Sequence, residues 1–151
     1  MVEYTGAWSA DEVERFLDRA TVPVRLACHT PSDRLWLVTL WYEFADATFL
    51  CATGREATIV QYLERDASVA FEVSTNEPPY RGVRGNGRAV IGPDPDKAVL
   101  QSLLERYLGG TDSQLADRLL ADHREEVAIR LEPDRLYSWD YSERMADVES
   151  A

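Results

Sequence analysis

Lysine is nearly absent from this chain. Lys97 stands alone beside 15 arginines, and the 16 basic residues face 27 Asp and Glu, for a formal net charge of −11. A surface of that sign repels a phosphate backbone at long range, so non-specific nucleic-acid binding is excluded as a role. Few lysines with many carboxylates is also the composition expected of a chain from a high-salt cytoplasm, where carboxylates hold hydrated cations under strong screening. Histidine is as scarce. His29 and His123 lie far apart, and no Cys-x-x-Cys or His-Glu-x-x-His spacing occurs, which leaves no raw material for a structural zinc or metalloprotease site. The two cysteines, Cys28 and Cys51, fall inside apolar strand-like runs, so buried reduced thiols are expected rather than a disulfide. The longest apolar run, Leu35 to Leu40, is far too short to cross a bilayer, and the opening Met-Val-Glu-Tyr has neither the basic patch nor the apolar stretch of a signal peptide. A cytoplasmic protein without membrane contact is expected. No serine sits in a nucleophile-elbow context and neither histidine has a triad partner set, so hydrolase chemistry has no foothold.

What is present is enough apolar material, 45% of 151 residues, for one domain with one core. Ser9 and Glu12 form a capping box, and Val13, Phe16, Leu17 and Ala20 follow at helical spacing; a helix from about Ala10 to Ala20 is predicted, ending before Pro23. Three β-rich runs follow, Val24–His29, Leu35–Phe44 and Thr48–Ala52, then a helix near Glu56–Arg65 and a strand Val69–Ser74. The run from Tyr80 to Ile91 carries Gly82, Gly85 and Gly87 and is predicted to bend or bulge. Asp94-Pro95 opens a helix Asp96–Leu108 stopped by Gly109-Gly110, and Thr111 with Gln114 forms a second capping box for a helix to about Asp122. Two strands, Glu126–Leu131 and Leu136–Tyr141, divided by Pro133-Asp134, close the pattern, and a polar, mobile tail is expected from about Glu143. The fold class is mainly β with inserted helices, a single antiparallel barrel over residues 1–151 with its core at about 22–141.

Candidate chemistry gathers in two places. Thr53, Gly54 and Arg55, at a strand-to-helix junction, supply a hydroxyl, an amide and a guanidinium, the donors of a phosphate cradle. The same residues also make an ordinary strand end with a solvated arginine, and on their own they do not choose between the two. Arg81, Arg84 and Arg88 either gather on a cleft wall or pair outward with carboxylates, Arg84 being the one best placed for cofactor or substrate. Gly85-Asn86-Gly87 precedes no helix and has no lysine nearby, so it reads as a bulge and not a P-loop. Trp8, Trp36, Trp41 and Trp139 are candidates either for stacking on a planar ligand or for core and interface packing.

The segments Leu35 to Tyr42, Thr48 to Arg55, Gln61 to Phe71, Tyr80 to Ala89 and Arg135 to Tyr141, in this order, resemble the pyridoxamine-5'-phosphate-oxidase-like family of FMN-binding split β-barrels, in a haloarchaeal-type version. The resemblance spans about Val22 to Tyr141. It implies an antiparallel Greek-key split barrel that works as a homodimer, with flavin mononucleotide in a cleft between protomers. It further implies that Trp36, Leu37, Val38, Thr39 and Leu40 line the ring, that Thr53, Arg55 and Thr58 hold the phosphate, with Arg84 nearby, and that Trp139 approaches the flavin from the partner. Thr58 and Ile59 occupy positions where the family commonly has a basic pair, so Arg55, Arg81 or Arg84 must supply that charge. An FMN-dependent oxidoreductase acting on a small molecule is the implied function. A deazaflavin-dependent reductase and a non-catalytic ligand-binding module are the alternatives.

Overall fold

The structure, a computed structural model, describes residues 1–148. Eight strands form one sheet: β1 (Glu3–Gly6), β2 (Val24–His29), β3 (Leu35–Leu40), β4 (Glu43–Ala45), β5 (Thr48–Gly54), β6 (Ser68–Ser74), β7 (Arg81–Pro93) and β8 (Glu126–Asp140). Their order is β3-β2-β6-β7-β8-β5-β4, antiparallel throughout, with β1 added parallel to β8. Alternation fixes the faces: Val24, Leu26 and Cys28 of β2 and Val69, Phe71 and Val73 of β6 point inward, and their neighbours point out. The curled sheet closes around Phe49, Ile129, Leu131 and Leu136. Among the described residues β3 and β4 are not paired, and there the barrel is split.

Helix α1 (Ala10–Arg19) plugs one barrel end with Val13 and Leu17. Its start is the predicted capping box, Ser9 Oγ accepting from Glu12 N and Glu12 Oε1 from Ser9 N. Its exposed C-terminal carbonyls are taken by distant residues: Arg106 donates to Leu17, Asp18 and Ala20 oxygens, and the buried Tyr42 hydroxyl donates to those of Leu17 and Ala20. Burial pushes the Tyr42 phenol well above its ordinary pKa, so it stays a donor. Helix α2 (Thr58–Arg65) buries Ile59, Val60 and Leu63, while α3 (Ala98–Leu108) and α4 (Gln114–Leu119) form a satellite cluster through Leu100, Leu104 and Ala116, with Trp41 and Ala52 against it.

Several boundaries differ from the sequence expectations. The two C-terminal strands are one, β8, because Pro133 lies opposite Gly87 at a register shift where Asp134 of β8 is the extra, unpaired residue and the ladder is already interrupted. The bulge expected in β7 falls instead on its partner β8, and Gly85 and Gly87 are needed beside it: a Cβ would lie 2.3 Å from Arg135 O and 2.1 Å from Glu132 O. The helix expected from Asp96 begins at Ala98, since Asp96 and Lys97 are left-handed; Asp94 caps it across that kink, accepting from Val99 N and Leu100 N. Ser113, not Thr111, caps α4, which ends at Leu119. The run Leu35–Phe44 breaks at Trp41-Tyr42 into β3 and β4, and β1 was not expected. Of the tail from Glu143, residues 149–151 lie outside the described residues.

Candidate functional site

β3 is the edge strand that the sequence reading assigned to the ring. Leu35 is 77% exposed, Leu37 67% and Trp36 41%, an apolar strip that one chain leaves to solvent. Its outer backbone edge pairs with no strand among the described residues, so its N–H and C=O groups there are free for a ligand. Trp36 leans its ring edge-on against Tyr62 of α2, centroids 5.6 Å apart, and Val38 and Leu40 pack on the core.

Register carries this strip into two cross-strand rows on the outer face. One runs Leu37, Ala27, Ala70, Asn86, small in its middle and therefore flat. The next runs Thr39, Arg25, Glu72, Arg84, Tyr137 and alternates in charge. Arg84 lies over the Tyr137 ring at 4.5 Å and near the Trp139 ring at 5.5 Å, which places two predicted residues in one cation–aromatic group. In the same row Arg25 Nη2 donates to Asn76 Oδ1 while its Nη1 is buried without a partner. A buried guanidinium donor left unpaired is costly, and the backbone of Arg25 lies directly across the ladder from Thr39 of β3.

At the far end of β5 the expected phosphate residues separate. Thr53 lines a cavity of about 230 Å3 with Thr39 and Leu40, joining the end of β5 to β3. Arg55 is turned toward α2, its guanidinium on the Glu64 carboxylate at 3.1 and 3.4 Å, and Thr58 is exposed in the first turn of α2. Ile59 faces the core, so that position is closed to any charged side chain. A second guanidinium, unanticipated from the sequence, borders the cavity: Arg124, whose Nη2 lies 3.3 Å from where a Cβ on Gly54 would stand. It is held by Glu126 at 2.9 Å, a carboxylate with 1% side-chain exposure. Cys51, two residues earlier on β5, is fully buried, which pushes its thiol up to about 12 and keeps it protonated and inert. Arg81 and Arg88 do not join Arg84. Arg81 lies at another cavity under α1, and Arg88 pairs across strands with Ser68 and Glu132.

A flavin-type cofactor fits these residues on the ring side, where β3 offers a free strand edge and an apolar strip and the next strand carries Arg25 with an orphaned nitrogen. On the phosphate side it fits once Arg55 exchanges Glu64 for the phosphate. That exposed pair is worth about 0–1 kcal/mol, against roughly 1.5–3 kcal/mol for a hydrogen bond to a charged group.

No protein-family model matches the chain, and no curated protein matches it. Solved structures do. A conserved hypothetical protein from Mycobacterium tuberculosis superposes with a TM-score of 0.75 at 24% identity, over 99% of this chain and 94% of that one. An F420 reductase gives 0.66 at 21% identity over 86% and 98%. A Listeria innocua protein named for pyridoxamine 5'-phosphate oxidase gives 0.65 at 15% identity over 85% and 95%. Strand order, the split between β3 and β4 and these superpositions together establish the fold as the split β-barrel.

Proposed function

We propose that the protein is a flavin-dependent oxidoreductase of the pyridoxamine-phosphate-oxidase-like type, a cytoplasmic homodimer whose cofactor cleft forms where two copies meet across β3. The observation that carries this reading is the exposed strip on β3 beside the unpaired Arg25 donor, a surface shaped for a planar, partly polar ring and incomplete in one copy. FMN is the first choice because the strand end offers Thr53 and Arg55 for one phosphate. The deazaflavin reading is favoured by a different observation, the name of the F420 reductase among the structural neighbours.

When bound, the cofactor supplies the hydride chemistry, so no side chain need act as general acid or base. The chain's own residues then have separable tasks. The β3 backbone and Arg25 Nη1 hydrogen-bond the polar rim of the ring and fix its plane. Leu35, Trp36 and Leu37 exclude water from its face. Thr53 and Arg55 anchor the phosphate, and the Arg84–Trp139 group, which lies together in each copy, reaches the cofactor of the other copy and shapes the substrate side. Leu37→Asp tests the shared interface, since Leu37 is exposed and its loss leaves the core intact. The variant is expected to remain folded by circular dichroism yet run as a monomer on gel filtration and retain no cofactor. A variant that is still dimeric and still loaded contradicts the reading.

A further inference from the structure

A separate cavity of about 410 Å3 lies where α1 meets the open ends of β6, β7 and β8. Its apolar wall is Trp8 and Phe16, rings 4.9 Å apart and tilted by 44°. Its rim carries three arginines, Arg15, Arg19 and Arg81. Arg15 and Arg19 are one turn apart on α1, so their charges share a face and repel; Arg81 adds a third from β7. Among the described residues none of the three makes an ion pair.

Two carboxylates also line this cavity, and each accepts hydrogen bonds from uncharged donors while offsetting part of the arginine charge. Glu12 Oε1 accepts from Ser9 N as part of the helix cap. Asp140, across the ladder from Arg81, accepts from Trp8 Nε1 at 3.2 Å and from the Ser142 backbone and hydroxyl at 2.9 and 2.5 Å. In a chain of net charge −11, a lining with three arginines and two carboxylates keeps a net positive charge above an aromatic wall. A cavity of this volume suits a small organic molecule.

We propose that this cavity binds a small aromatic carboxylate, its ring against Trp8 and Phe16 and its carboxylate shared by the arginines. The site is distinct from the cofactor surface. Strand alternation puts Asp140 and Arg81 on the opposite side of the β7–β8 ribbon from Trp139 and Arg84.

The test is a titration of the full-length protein with naphthoate, and separately with the uncharged naphthamide, followed by nitrogen-edited NMR of the indole N–H signals. Naphthoate is expected to shift the Trp8 signal saturably. Arg15→Gln and Arg81→Gln are each expected to weaken it about tenfold or more, naphthamide to bind at least as much more weakly, and Arg130→Gln to change nothing. Arg15 is an exposed helix residue, so its variant separates loss of binding from loss of fold. Equal binding of acid and amide, undiminished binding in both cavity variants, or shifts at Trp36 or Trp139 in place of Trp8 would each overturn the proposal.

Discussion

In the proposed function Arg55 has two partners, Glu64 and the cofactor phosphate, and the balance between them would set cofactor affinity. Its bond to Glu64 joins two side chains about 38% and 47% exposed, a geometry that contributes little. Phosphate offers more charge to the same guanidinium. Arg55→Ala is therefore expected to weaken FMN binding by about one to two orders of magnitude, whereas Glu64→Gln, which frees Arg55, should tighten it up to about tenfold; quenching of flavin fluorescence reads both. Weaker binding in Glu64→Gln would show that the arginine needs the carboxylate to be positioned. Although the structure turns their side chains apart, the sequence singles out Thr53 and Arg55 because they are neighbours at a strand end. It gave no sign of Arg25 or Arg124. Arg25 matters only through the register that sets it between Thr39 and Glu72, and Arg124 only through its approach to Gly54 across the β5–β8 ladder.

Elements show the same division between local and distant causes. The N-terminus of α1 was legible to the residue, since a capping box is contained in four consecutive positions. Its C-terminus was not, because the groups that satisfy it come from Tyr42 and Arg106. Arg106→Ala removes a cation and its hydrogen bonds from three carbonyls at the end of a helix, and is expected to lower unfolding free energy by roughly 1.5–3 kcal/mol in urea titration. A change below about 0.5 kcal/mol, the ordinary surface value, would mean that water replaces the guanidinium freely. The sequence divides β8 in two because a proline normally interrupts a ladder; the bulge at Asp134 that accommodates Pro133 is visible only in the paired structure. β1 was missed because four residues with no alternation owe their strand state wholly to β8.

For the whole molecule, the pattern of the sequence foretold the mainly β class, since alternating runs and turn residues are distributed along the full chain. Among the described residues no helix is long and apolar enough to cross a membrane. The net charge of −11 makes a further expectation concrete: self-repulsion should lower stability in dilute buffer, and added potassium chloride should raise the thermal midpoint until screening saturates. A midpoint independent of salt would remove the basis for the high-salt reading.

Dimerisation and cofactor binding are one event in the proposed arrangement, because each copy presents half of the cleft. The most direct measurement is the visible absorbance of the wild-type protein after incubation with FMN and passage through a gel-filtration column of calibrated mass. A flavin band co-eluting with a species of twice the 17.1 kDa chain mass is the predicted result. A colourless protein under saturating FMN and high salt, or flavin retained by a monomer, would contradict it.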